Sequence, residues 1–181
     1  MFRDHAASRA SYDGVAEFAI TSVSFVGNVG TYLDSPFHRY ERAPDIGALE
    51  LAGLVALPAI VLDAAADREA IDLEVPRHPS GCAVLVRTGW DQRWGTATYW
   101  EPCPYLAGAM VQRLVDAEVA LVGVDFWNVD DVGDPARPVH SELLGCEIPI
   151  VEHLCRLDQL PRRGARFSAV PLRVVGAASM P

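Results

Sequence analysis

The chain has 181 residues, 50% of them hydrophobic and 22% charged, with a formal net charge of -9. That length suits one well-buried core and is short for two, and the composition is that of an ordinary globular protein. Its acidic balance, without a Lys or Arg stripe, argues against nucleic acid, while the lack of any ~20-residue apolar run or signal-like start argues against a membrane and for a cytoplasmic location.

Phe18 to Val26 alternates apolar and polar side chains and predicts a half-buried strand leading into a loop at Asn28. Leu49 to Leu54 suits a short helix, followed by strands over Ala59 to Leu62 and Cys82 to Arg87, both too apolar for a sheet edge. Between them, Asp63 to Pro79 carries acidic residues and two prolines and reads as a surface excursion. Leu106, Met110, Val111, Leu114 and Val115 recur at helical spacing, and a strand over Val119 to Val124 follows, a helix packed on a sheet. Gly133, Pro135 and Pro138 make a loop before His140; Glu142 to Leu157 reads as helical pieces broken at Pro149. The last strand is expected over Arg166 to Val175. Periodicity thus supports a single mixed α/β domain spanning residues 1–181, without repeats or linkers.

Cys82, Cys103, Cys146 and Cys155 are widely spaced and contain no Cys-x-x-Cys pair. They are read as reduced thiols rather than a zinc ribbon or a disulfide framework. Trp90, Trp94, Tyr99, Trp100, Phe126 and Trp127 enrich the middle of the chain in aromatics, which are mostly core or interface residues and in a minority of cases the walls of a pocket for a planar ligand.

Asp34 and His38 lie four apart beside a Gly30-Thr31 turn, and a second imidazole and acid, His140 and Glu152, lie far downstream. Both residue types hold or serve divalent cations. Taken singly, an Asp or His at a strand end more often caps a turn, and Glu152 would suit a solvated helix face. His5, His78 and His153 match no ligand position and are assigned no function; on a helix, His153 points away from Glu152.

Their order along the chain says more. Asn28-x-Gly30-Thr31-Tyr32-x-Asp34-x-Pro36-x-His38 resembles the cyclase-family signature His-x-Gly-Thr-His-x-Asp-x-Pro-x-His, with the two leading histidines replaced by Asn28 and Tyr32. Val84 to Trp90 ends in the family's Arg-Thr-Gly-Trp turn, and Leu121 to Asp125 ends in its Gly-x-Asp. His140-Ser141-x-Leu143-Leu144, Ile148 to Glu152 and Phe167 to Leu172 resemble its later segments. The resemblance, to kynurenine formamidase-like metal-dependent hydrolases, covers about Ser22 to Pro181 and has a shortened N-terminus.

This resemblance implies a swivelling β/β/α fold and a homodimer or homotetramer. It implies metal ligation by Asp34, His140 and Glu152, with His38 as general acid/base and Asn28 and Tyr32 lining the half of the site that has lost its ligands. One imidazole and two carboxylates suit one zinc or manganese with a position left open for water, so at most one divalent metal per chain is expected, and none is an open alternative. The implied reaction is hydrolysis of N-formylkynurenine-like aryl formamides or related cyclic amides and esters. Two alternatives stand beside it: a degenerate relative that binds a small ligand or partner without turnover, and a metal-free acid/base enzyme using His38 with Tyr32 and Asp34.

Overall fold

The computed structural model describes residues 2–65, 69–76 and 79–181. Its nine strands are β1 (Tyr32–Asp34), β2 (Leu57–Asp63), β3 (Ala70–Ile71), β4 (Ala83–Arg87), β5 (Tyr105–Leu106), β6 (Leu121–Val124), β7 (Ile150–Glu152), β8 (Arg163–Phe167) and β9 (Ser179–Met180). The three α-helices are α1 (His5–Ser11), α2 (Gly108–Asp116) and α3 (Pro138–Gly145). Seven strands form one mixed sheet in the order β8-β2-β4-β6-β7-β1-β9, and β3 pairs with β5 apart from it. Strands β2, β4, β6 and β7 run parallel, while β8 and β1 pair antiparallel with their neighbours.

Alternation along the central strands builds two apolar layers. Val84, Val86, Val122, Val124 and Ile150 face Met110 and Leu114 of α2 and Leu143 of α3. Ala83, Leu85, Leu121 and Val151 face the other way, onto Leu33, Leu54 and Leu154. A side chain at Gly123 would place its Cβ 2.6 Å from Leu154 and 2.8 Å from Leu85, so the bare backbone lets the second layer close over β6. Edge strand β8 carries the exposed Arg163 and Arg166, charges that discourage further strand pairing.

The expected mixed α/β domain and its central strands are present, with differences in four segments. In the first, Ile20 forms an isolated bridge with Arg3; residues 22–26 lie in no strand among the described residues, and Val23 and Val26 are over 70% exposed, at 71% and 72%. Alternation alone does not make a strand; an adjacent strand to form a ladder is also needed. The helix expected over Leu49 to Leu54 is a single 3-10 turn, Leu51–Gly53. Helical structure ends at Gly145, and Ile150–Glu152 is strand β7, because Pro149 interrupts the helix and β-branched Ile150 and Val151 fit a central strand position. Glu152 is therefore a buried sheet residue. The closing strand starts and ends earlier than expected, since its partner β2 begins at Leu57, opposite Phe167. In the excursion from Asp63, Ile71 is buried through its pairing with Leu106, and His78 lies outside the described residues.

Candidate active site

Strand register assembles the site. Tyr32 and Asp34 are two apart on β1 and share a face. Antiparallel pairing sets Tyr32 opposite Glu152 on β7 and Asp34 opposite Ser179 on β9. Leu33 points the other way, into the second apolar layer with Val151 and Met180. Helix α3 packs over the polar face and brings in His140, and the 3-10 turn Pro36–His38 directly after β1 brings in His38, the two imidazole rings lying 5.6 Å apart. Asp34, His140 and Glu152 are almost wholly buried.

The polar atoms converge. His140 Nε2 lies 3.7 Å from Asp34 Oδ2 and 3.8 Å from Glu152 Oε1. Asp34, His38 and His140 each offer a ligand atom within 4.8 Å of the others. The structure thus brings His38 into the same cluster as Asp34 and His140, with Glu152 at its edge. Asp34 Oδ2 is buried and has no hydrogen-bond partner among the described residues, an expensive state for a carboxylate oxygen and one that a cation would relieve. The donor set fits one divalent metal.

Asn28 and Tyr32 fill the other half with hydrogen bonds. The Tyr32 hydroxyl donates to Glu152 Oε2, and Asn28 Nδ2 donates to Asp34 Oδ1 at 3.3 Å and to Ser179 Oγ at 3.1 Å. Ser179 Oγ in turn donates to Asp34 Oδ1 and lies 3.2 Å from His38 Nδ1. Burial, reinforced by Glu152, pushes the Tyr32 phenol far above its ordinary pKa and keeps it a donor. Burial also raises Glu152, which accepts from the Val129 N–H at 2.9 Å.

Two residues of this network carry no signal in the sequence reading, Asp130 and Ser179. Asp130 Oδ2 lies 2.5 Å from His140 Nδ1, and its other oxygen accepts from the Val139 N–H at 2.6 Å, fixing the ring so that Nε2 faces Asp34. Burial opposes the charge on His140, but the Asp130 and Asp34 carboxylates outweigh it and lift the imidazole to about 9. His38 is shifted the other way: burial lowers its pKa against the pull of Asp34, and His140, Arg137 and Arg39 add to the lowering. A rule that metal-binding histidines lean on carboxylates would have suggested an acid near His140, though not which one, and nothing local marks Ser179.

The other motif segments shape the surroundings. Asp125 accepts from the Thr88 and Gly89 N–H groups and the Thr88 hydroxyl, which pins the turn after β4, where Gly89 takes a φ of 81°. Trp90 then donates to the Tyr99 carbonyl at 3.0 Å, and the Tyr99 hydroxyl meets His153 Nδ1 at 2.7 Å. His153 lies against the Tyr32 ring, at 5.4 Å between centroids, and lines a cavity of about 410 Å³ with Thr31, Trp94 and Tyr99. It sits outside the cluster of Asp34, His38 and His140. His5 opens α1 and is exposed. All four cysteines are free, Cys82 and Cys103 buried and Cys146 and Cys155 exposed.

Comparison with known proteins assigns the chain a family. The model of the Cyclase family ("Putative cyclase") matches residues 3–131, a span that holds Asn28 to His38 and Asp130 and stops before His140. Kynurenine formamidase of Delftia acidovorans is 26% identical over 171 residues, covering 90% of this chain and 77% of the relative; that of Paracidovorax citrulli is 26% identical over 172 residues, covering 90% and 76%. Among solved structures, isatin hydrolase A from Ralstonia solanacearum superposes with a TM-score of 0.76 at 27% identity, covering 86% of this chain and 70% of that one. A structure described as a potential metal-dependent hydrolase with cyclase activity superposes with a TM-score of 0.72 at 25% identity, covering 88% and 78%. The enzymes named in these matches are hydrolases. With the family match spanning most of the sequence, and the altered signature lying on the strand that organises the buried carboxylates, the chain belongs to the cyclase family.

Proposed function

We propose that the protein is a metal-dependent hydrolase of amides or esters, acting on aryl formamides or cyclic amides like those that its relatives' names imply. The observation that carries this reading is the convergence of buried Asp34 Oδ2, which lacks a partner, with Glu152 Oε1 on His140 Nε2. Asp34, His140 and Glu152 would hold a single zinc or manganese, which when bound would polarise a carbonyl and lower the pKa of water toward ~7.

The chain's own groups supply the rest. His38 is held through Nδ1 by Ser179 and Asp34, which leaves Nε2 for proton transfer. Its lowered pKa keeps it neutral near pH ~7, the form that takes a proton from the attacking water and returns it to the leaving nitrogen or oxygen. Asp130 keeps His140 oriented, and the Tyr32 and Asn28 hydrogen bonds hold Glu152 and Asp34 in place where the family signature has imidazoles.

Those same hydrogen bonds favour a second reading, a relative that binds a ligand without turnover, because they satisfy carboxylate oxygens that would otherwise serve a second metal. Elemental analysis of protein purified without added metal, paired with hydrolysis of formanilide and isatin, separates the two. One equivalent of metal with turnover supports the hydrolase; no turnover at any metal loading leaves the binding protein.

Assembly as a homodimer or homotetramer belongs to the same proposal. Val23, Val26, Leu172 and Val175 expose most of their surface in the single chain, as unburied interface residues do. Sedimentation at micromolar concentration should find no monomer.

A further inference from the structure

Arg137 has a placement that the hydrolytic machinery does not use. Its Nη2 lies 3.2 Å from Nδ1 and 3.1 Å from Nε2 of His140, so it sits over the ring and not in line with either nitrogen. His140 Nδ1 is already engaged by Asp130, and Arg137 Nε stands 3.7 Å from Asp130 Oδ2, too far for a hydrogen bond. That Nε is buried and has no hydrogen-bond partner among the described residues, while the side chain as a whole is 42% exposed. The guanidinium therefore reaches the buried site while part of the side chain is open to solvent.

The backbone holds it there at a cost. Arg137 precedes Pro138 and adopts a φ of 49°, a left-handed conformation that side chains disfavour and that tends to persist where function requires it. Its N–H donates to the Asp134 carbonyl at 3.2 Å, and its own carbonyl accepts from the Ser141 hydroxyl at 2.8 Å. A purely structural partner of Asp130 would close the direct hydrogen bond, yet this one stops short. The neighbouring Arg39 is committed differently, to Ser141 Oγ at 2.9 Å and the Ala136 carbonyl at 3.3 Å. Both guanidinium groups act on His38 electrostatically, after burial and the opposing pull of Asp34.

We propose that Arg137 is a substrate-binding residue that pairs with a carboxylate carried by the substrate, making the protein selective for anionic aryl amides or esters over neutral ones. The proposal rests on the hydrolase reading for the word substrate, and on the placement of Arg137 alone for the anion. An arginine fork matches the two oxygens of a carboxylate, and the solvent-open part of the Arg137 side chain leaves the guanidinium accessible to such a partner.

Calorimetric titration with 2-aminobenzoate and its neutral counterpart 2-aminobenzamide tests the anion directly, and hydrolysis of 2-formamidobenzoate against formanilide tests the reaction. The protein should prefer the carboxylate of each pair by about tenfold or more, the size of a charge-assisted hydrogen bond, and Arg137→Gln should bring each pair to near parity. Near-ultraviolet circular dichroism checks the fold; should the glutamine variant not fold, Arg137→Met, which keeps the length without the charge, reads the same ratio. Equal binding of the two titrants by the unaltered protein, or a preference that survives in the variant, overturns the proposal. Carboxylate preference lost on substitution, without hydrolysis of either formamide, upholds the anion site and overturns the hydrolase reading instead.

Discussion

Tyr32 and Glu152 face one another across adjacent antiparallel strands, and the phenol donates its proton to the carboxylate in a buried hydrogen bond. Where the family signature has a histidine, this chain has a residue that still satisfies the acid, but by donating a proton and not by sharing a metal. Tyr32→Phe should leave Glu152 with only the Val129 N–H and, in chelator-stripped protein, lower stability by about 1–3 kcal/mol, the cost of an unsatisfied buried polar group. Urea unfolding measures it. No loss would mean that the hydrogen bond contributes nothing to the fold.

Restoring both imidazoles tests the altered half-site. Asn28→His with Tyr32→His should raise metal content above that of the unaltered chain, toward two equivalents, with faster hydrolysis of formanilide. A partial rescue is expected, since rings lacking their supporting hydrogen bonds lose ~10–100-fold in affinity or activity. Elemental analysis of the folded double variant decides; unchanged stoichiometry would show that the loop around Gly30 has moved away from ligand geometry.

Removal of single ligands should separate the metal from its surroundings. Asp34→Ala, His140→Ala and Glu152→Ala should each abolish metal binding, His38→Ala should spare metal while reducing turnover by ~10²–10⁴-fold, and Asp130→Asn should weaken metal binding by ~10–100-fold through a misoriented His140. Metal titrations paired with initial rates give all five numbers. Loss of metal in the His38 variant would reassign that imidazole as a ligand, a role its place in the cluster allows.

His153 should make the fold acid-sensitive. Burial pushes its pKa from 6.5 down to about 4. As the pH falls below 6.5 the unfolded chain takes up this proton and the folded chain does not, so the stability is intact above 6.5 and is lost progressively as the pH falls through about 4. His153→Phe, which keeps a ring against Tyr32 and Tyr99, should flatten the decline of Tm between about pH 7 and pH 4.5. Identical slopes for the two proteins would rule out His153 as the cause.

Gly27 supports the site from outside it. A side chain there would bring its Cβ 2.4 Å from the Ser179 carbonyl oxygen, a backbone atom that cannot swing aside. Gly27→Ala should therefore shift β9, loosen the hydrogen bonds of Ser179 to Asp34 and His38, and cut turnover more than stability. Rates and melting temperatures measured together test this; loss of stability with unchanged turnover would contradict it.

Patterning along the chain determined the central strands, because β2, β4 and β6 are apolar runs flanked by turn residues and leave little choice of environment. It also determined the candidate residues Asp34, His38, His140 and Glu152, whose order carries the resemblance even with Asn28 and Tyr32 in place of histidines. Pairing register was beyond it. That Tyr32 meets Glu152 and Asp34 meets Ser179 depends on which strands lie beside β1, a contact between segments more than a hundred residues apart. Asp130 and Arg137 gained their places for the same reason: in sequence they are an acid and a base in a proline-containing loop, and only the packing of α3 on the sheet sets them against His140. Local periodicity also misassigned Phe18 to Val26 and the segment around Glu152, since whether an apolar stretch becomes a strand is decided by the neighbour that accepts its hydrogen bonds.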